Sequence, residues 1–271
     1  MTRDEDASGF TESAPPRRVT LLGRDHSGVG RYTMCSVGDE RRTVCSISLG
    51  GLRALARKAG APVPNEDGLF AADFGTSALH AIADGHRGHF ASHETIERVA
   101  SAVTGPANLT APLRSLEWFA APGPEQDLKD ASATTLSLCA IDRERGEVEG
   151  WSTGDSAVFH LSAERGIQRL DAPDEQYVSP GRGVGPELAA TKRFRSLVRP
   201  GDVILSCSDG VFECHYGSPK TSLTSADLEA LFIRFGADLD AFVEAISHDA
   251  LMGVRGHPGG EDNIAIVASL V

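Results

Sequence analysis

Carboxylates recur at the ends of strand-like runs, and these are the residues whose type and placement could do chemistry. Leu79-His80-Ala81-Ile82-Ala83 runs into Asp84-Gly85, and Val203-Ile204-Leu205-Ser206-Cys207-Ser208 runs into Asp209-Gly210. Trp151-Ser152-Thr153 leads into Gly154-Asp155, Asn65-Glu66-Asp67 precedes the apolar stretch at 69–72, and Asp262-Asn263 precedes a terminal strand at 264–271. Each pair alone reads as turn chemistry, because Asp-Gly and Asn-Asp are turn and capping signals. Two sites differ from hairpin tips: a helix rather than a paired strand is expected after Asp84-Gly85, and Asp209 follows a nearly all-apolar, central-looking run. Carboxylates gathered at the ends of central strands repel one another unless a cation sits between them. Oxygen-only donors favour hard ions such as Mg²⁺ or Mn²⁺ over zinc, and a pair of such ions can activate water and clamp a phosphoryl group.

Competing signals are weaker. His80, His86, His89 and His93 cluster, and His89 and His93 are one helical turn apart, but no third zinc ligand is evident. Cys139 and Arg145 have the spacing of a cysteine phosphatase. The residues between them include Asp142 and Glu144 and no glycine, so a buried structural cysteine is expected. Gly181, Gly183 and Gly185 do not fit a dinucleotide fingerprint. Ser208 has no assignable base or oxyanion hole.

The elements that must position the carboxylates are mostly strands. Strand-like runs fall at 18–22, 42–49, 69–72, 79–83, 134–141, 148–152, 157–161, 168–170, 194–198, 203–207 and 264–271, with short connections that suggest hairpins and antiparallel pairing. Helical patterns fall at 52–59, 92–101, 225–235 and 239–252, with Ser225 and Asp238 as N-caps. Strands with helices segregated to the outside predict an α+β layered domain. Residues 1–16 are polar, end in Pro15-Pro16 and read as a disordered tail, leaving one domain over 17–271.

The 271 residues carry 26 basic against 38 acidic side chains, a net charge of −12. That balance disfavours nucleic acid and anionic lipid as partners. No apolar run is long enough to span a bilayer, and the acidic start is no secretory signal. Five cysteines without a CxxC spacing argue against a disulfide scaffold or zinc ribbon and fit a reducing cytoplasm.

The matching stretches PNEDGLFA (64–71), AIADGHRGHFAS (81–92), SATTLSLCAID (132–142), STGDSAVFHLS (152–162), RPGDVILSCSDGVFE (199–213) and GGEDNIAIV (259–267) give the chain its clearest relationship. In that order they resemble the PP2C-type (PPM) metal-dependent serine/threonine protein phosphatases of bacterial type. The resemblance implies a four-layer αββα sandwich of two antiparallel β-sheets flanked by helices, with two Mn²⁺ or Mg²⁺ ions at one end and a third, weaker site. It makes Asp84 the bridging carboxylate, the Gly85 carbonyl a ligand of one ion, and Asp209 and Asp262 ligands of the other. Glu66 and Asp67 would hold metal-bound waters, and Asp155 would support the third ion. His86 would be the general acid, and Asn263 would orient Asp262. The implied reaction is direct hydrolysis of a phosphoserine or phosphothreonine protein by a hydroxide held between two ions, in a cytoplasmic enzyme expected to be a monomer.

The chain departs from that pattern. Pro62 stands where the family has a phosphate-holding Arg, and Arg57, Lys58 or Arg87 are the substitutes at hand. Arg87 and Ala133 replace glycines, residues 17–60 match poorly and suggest a variant hairpin, and 171–187 fall where the family has a flap. Two alternatives accompany the main expectation: a pseudophosphatase serving as a regulatory module, and a phosphatase of anti-sigma-factor antagonist phosphoproteins.

Overall fold

Alternation along each strand builds the molecule as layers. In the computed structural model, which describes residues 15–114, 132–173, 177–178, 193–236 and 238–271, strand β5 (Ser77–Ala83) shows the principle. Ala78 and Ile82 point into an apolar layer shared with the opposite sheet, while Leu79, Ala81 and Ala83 point outward onto a helix. Strand β14 (Ile264–Leu270) does the same: Ala265 and Val267 face inward, and Ile264, Ile266 and Ala268 face a helix on the other side. A strand buried on both faces must be apolar at nearly every position, which is why these runs looked continuous rather than alternating.

The first sheet has the order β1-β4-β5-β8-β9-β12, comprising β1 (Arg18–Leu22), β4 (Gly68–Asp73), β5, β8 (Leu136–Asp142), β9 (Glu147–Thr153) and β12 (Arg193–Leu197). The second has the order β11-β10-β13-β14-β3-β2, comprising β11 (Gly166–Arg169), β10 (Ala157–Ser162), β13 (Val203–Cys207), β14, β3 (Thr43–Ser48) and β2 (Tyr32–Val37). Neighbouring strands within each sheet pair antiparallel. Helix α2 (Phe90–Ala102) buries Ile96 and Val99 on the first sheet. Two later helices, α4 (Ser225–Phe235) and α5 (Leu239–Met252), cover the second, with Phe242, Val243 and Ile246 fully buried. At roughly 25 cal/mol per Å² of apolar surface removed from water, each such side chain is a stabiliser of about 2 kcal/mol. The α+β four-layer sandwich is therefore the architecture observed. A short helix, α3 (Ala111–Arg114), follows α2.

Several local expectations are corrected. Residues 32–37 form β2, and its hairpin with β3 is the element that the poorly matched region holds. Gly85–His86 forms a small strand, β6, paired with β7 (Ala133–Thr134), so a paired strand and not a helix directly follows Asp84. Thr224, not Ser225, caps α4: its hydroxyl accepts from the Asp227 amide while Asp227 returns to the Thr224 amide. Asp238 caps α5 as expected. Helix α1 (Leu52–Arg57) buries Ala54 and leaves Leu52 76% exposed. Arg53 pairs with Glu261 and Arg57 with Asp262, tying the helix to the segment before β14. Residues 1–14 of the expected tail, and most of 171–187, lie outside the described residues.

Polar bridges also cross between the sheets, from Thr43 to Asp73 and through His80. His80, fully buried on β5, meets the Ser206 hydroxyl through Nδ1 at 3.1 Å and the Ser269 hydroxyl through Nε2 at 2.6 Å. This histidine serves the packing of the two sheets and has no part in a metal cluster.

Candidate metal centre

The layers end at a common rim, and the strand-end carboxylates converge there. Asp84 follows β5. Its amide donates to the Thr135 hydroxyl at 3.0 Å, and its carbonyl accepts from the Thr135 amide and the Thr134 hydroxyl. Asp209 opens a 3-10 turn, Asp209–Val211, directly after β13. Asp155 sits in the β9–β10 turn, where Gly154 takes φ +90° and packs against Thr135. One carboxylate oxygen from each of Asp84, Asp155 and Asp209 lies within 4.8 Å of the other two. Three residues from separate strand ends thus present oxygens to one point.

Glu66, Asp67 and Asp262 complete the rim. Asp67 is fully buried; its Oδ2 accepts from the Ser208 hydroxyl at 2.8 Å, and its Oδ1 is buried without a hydrogen-bond partner. Ser208 also accepts the Ala265 amide, which ties β13 to β14 beside Asp209. Lys58, just past α1, places its Nζ 2.5 Å from Glu66 Oε2 and 3.6 Å from Asp262 Oδ1. Asp262 also receives Arg57 at 3.1 Å, so its carboxylate is turned towards these two cations. Asn263 lies beneath: its amide donates to Asp262 Oδ1 at 2.9 Å, and its side chain bonds the Glu66 amide, the Leu49 carbonyl and the Pro64 carbonyl.

Two glycines leave the room this assembly needs. A Cβ on Gly210 would lie 1.8 Å from the Asn263 carbonyl, and one on Gly85 would lie 2.5 Å from the Glu66 carbonyl. The glycine after each aspartate is required for close backbone approach, which turn chemistry alone does not reveal.

The electrostatics follow from crowding. Burial pushes the Asp67 carboxyl up to about 8; Asp262 and Asp209 add to the shift, while Lys58 and the Ser208 hydroxyl oppose it. Asp84 and Asp209 are each held well above the ordinary carboxylate range, first by burial and then by the surrounding carboxylates. Asp155 and the partly buried Glu213 rise in the same direction, again chiefly through burial. Burial alone would lower the Lys58 ammonium, but Asp262, Glu66 and Asp67 outweigh it and hold the group charged. A site that resists its own ionisation this strongly is one that a cation would stabilise.

The remaining sequence candidates are placed as follows. His86 is exposed and stacks on Tyr177, with ring centroids 4.9 Å apart and planes 19° off parallel. Tyr177 is held in place by its neighbour Val178, which pairs with Thr134. Arg87 is exposed at φ +63°, a left-handed conformation that explains why glycine suits this position. Arg57 is committed to Asp262 and the Glu261 carbonyl and lies over the Tyr216 ring at 3.7 Å. His93 bonds the Asp67 carbonyl at 3.1 Å, and His89 packs against it, so this pair supports the site from below. Cys139 is buried in β8, and burial pushes its thiol up, far from a nucleophile's range. Reading the sequence did not find Glu213 or the function of Ser208. Lys58 was a candidate only as a substitute phosphate holder; its pairing with Glu66 and Asp262 was not visible in the sequence.

Comparison with known proteins agrees with this architecture. The family model described as stage II sporulation protein E (SpoIIE) matches residues 123–270, more than half of the chain. The chain belongs to the SpoIIE family. Among solved structures, the Mycobacterium tuberculosis serine/threonine phosphatase PstP/Ppp is similar at 22% identity, covering 89% of this chain and 98% of that one, with a TM-score of 0.57. RsbX in complex with magnesium is similar at 15% identity, covering 88% and 100%, with a TM-score of 0.56. The catalytic domain of PstP in complex with two manganese ions is similar at 18% identity, covering 89% and 100%, also at 0.56. The fold is that of the bacterial PP2C-type phosphatases. A comparison with curated proteins gave no significant match. Among the described residues, no helix is long and apolar enough to cross a membrane.

Proposed function

We propose that this chain is a metal-dependent serine/threonine phosphoprotein phosphatase. The observation that carries the reading is the convergence of Asp84, Asp155 and Asp209 on one point, with Asp67 Oδ1 buried and unpartnered beside them. An all-oxygen donor set fits Mn²⁺ or Mg²⁺. Asp84, the Gly85 carbonyl, Asp209 and Asp262 would hold two ions, Glu66 and Asp67 would hold their waters, and Asp155 with Asp209 would hold a third. When bound, the ions would neutralise phosphoryl oxygens and make water a stronger nucleophile.

The chain's own residues supply the rest. Glu66 and Asp67 accept hydrogen bonds from the attacking water and fix its direction. Lys58, held at the rim by Glu66, offers an ammonium to a phosphoryl oxygen and so takes the part for which Pro62 is unsuited. His86, steadied by the Tyr177 ring, delivers a proton to the departing serine or threonine oxygen. Asn263 keeps the Glu66 backbone and Asp262 in register with one another. Neither a phosphoenzyme nor Cys139 takes part.

Phosphorylated anti-sigma-factor antagonists are the alternative substrate class carried with this reading. The deciding experiment is hydrolysis of a phosphothreonine peptide with added Mn²⁺, compared with EDTA and with Asp84→Ala. Turnover that needs both Mn²⁺ and Asp84 is the expected result. Bound Mn²⁺ without turnover on peptide or phosphoprotein would instead make the chain a regulatory module.

A further inference from the structure

We propose that Cys35 and Cys45 form a reversible cross-strand disulfide that clasps the edge strand β2 to β3. The two cysteines are direct register partners in the β2–β3 hairpin, and their sulfurs lie 3.0 Å apart. Directly opposed residues on antiparallel strands have Cα atoms about 4.5–5.5 Å apart, inside the range a disulfide accepts. Closing to a bond of about 2.05 Å requires the sulfurs to approach by roughly 1 Å, a movement side-chain rotation can supply. Among the described residues this is the one pair of thiols in contact. Cys139, Cys207 and Cys214 are each buried without a sulfur neighbour.

The environment gives the two sulfurs different parts. Cys45 is fully buried with Ile47, Val37 and Val267 in the layer between the sheets, while Cys35 lies at the rim of that layer and is partly exposed. β2 is the outermost strand of its sheet, so solvent reaches Cys35 from the open edge. The hydrogen bond from Cys45 lowers the Cys35 thiol against the effect of burial, whereas Cys45 is pushed up. Cys35 is thus the attacking thiol and Cys45 the resolving one.

A small-molecule disulfide such as oxidised glutathione is the oxidant. The Cys35 thiolate attacks one of its sulfurs, forming a mixed disulfide and releasing one glutathione. The Cys45 sulfur then attacks the Cys35 sulfur, its proton leaving with the second glutathione. Two protein thiols and one oxidised glutathione become one protein disulfide and two reduced glutathiones. The product staples an exposed sheet edge, the part of a β-sandwich most open to fraying and to pairing with other chains.

The test is to incubate the full chain with oxidised glutathione, quench with acid, alkylate under denaturing conditions and map the peptides without reduction. The expected product is a peptide linking Cys35 to Cys45, with the chain lighter by two hydrogens and restored by dithiothreitol, and with Cys139, Cys207 and Cys214 alkylated. Cys45→Ser should stop at glutathione on Cys35, and Cys35→Ser should keep its mass. A stable glutathione adduct on the wild-type chain, a linkage through any other cysteine, or five free thiols after treatment would overturn the proposal.

Discussion

Asn263 Oδ1 accepts the Glu66 amide at 2.9 Å, joining residues 197 positions apart. The same carboxamide donates to Leu49 and Pro64, so the entry to β14, the end of β3 and the loop before β4 meet on one side chain. Every carboxylate of the Glu66–Asp67 and Asp262 groups hangs from one of those segments. Asn263→Ala removes the side-chain partner of the buried Glu66 amide, of the buried Leu49 carbonyl and of the partly buried Pro64 carbonyl, and should destabilise the chain by about 2 kcal/mol or more. Chemical denaturation reads that loss, and Mn²⁺ titration should show weaker binding in the same variant. A variant as stable as wild type with unchanged Mn²⁺ affinity would remove Asn263 from the framework of the site.

Asp209→Asn separates stability from activity. Asp84 and Asp209 are each held well above the ordinary range, first by burial and then by surrounding carboxylates: Asp67, Asp262 and Asp155 raise Asp84, and Asp84, Asp262 and Asp155 raise Asp209. Removing one charge relieves that repulsion, so in EDTA the variant should melt above wild type. With Mn²⁺ its turnover should fall by at least about 10²-fold. Lower stability in EDTA would show that the carboxylates are not in conflict.

Lys58→Met tests the phosphate contact. If the ammonium meets a phosphoryl oxygen in the transition state, kcat/KM should fall by about 10²-fold while Lys58→Arg keeps most of it. Steady-state kinetics on a phosphothreonine peptide measures both. Wild-type kinetics in the Met variant would move the contact to another residue, with the exposed Arg87 the next candidate.

His80 predicts the acid limb of stability. Burial, with a lesser effect of Arg143, pushes its pKa down to about 3, against about 6.5 in an unfolded chain. Below pH 6.5 the unfolded state takes up a proton that the folded state refuses. Stability is therefore complete above pH 6.5 and falls as the pH drops towards 3. Urea midpoints at pH 7 and pH 5 should differ for wild type and differ less for His80→Gln. Equal slopes in the two proteins would assign the acid sensitivity to another group, such as the buried His93.

The sequence disclosed the site better than its supports. Asp84, Asp155 and Asp209 were legible because a carboxylate at the end of an apolar run is a local signal, read in a few residues. Thr224 was missed as a cap by one position, a boundary error local patterns cannot resolve. β2 was missed because its burial is mixed along the edge of the sheet, leaving no clean alternation to read. The facing of α1 was not legible, because its partners Glu261 and Asp262 lie more than 200 positions away in the chain. Asp-Gly at 209–210 pointed to a strand-end carboxylate, but that the glycine clears the Asn263 carbonyl was not legible. Gly210→Ala should accordingly yield little soluble protein, and normal expression of that variant would show that the backbone can yield there.

The position of β14 bears on how the protein is made. It lies between β13 and β3, so the second sheet is two separate pieces, β11-β10-β13 and β3-β2, until residues 264–270 arrive to join them. Both halves of the acidic rim depend on that joint. On the ribosome, the β2–β3 hairpin must wait through more than two hundred residues of synthesis for its neighbour. During that interval it exposes apolar surface and an unpaired edge, which is when chaperones would have most to hold.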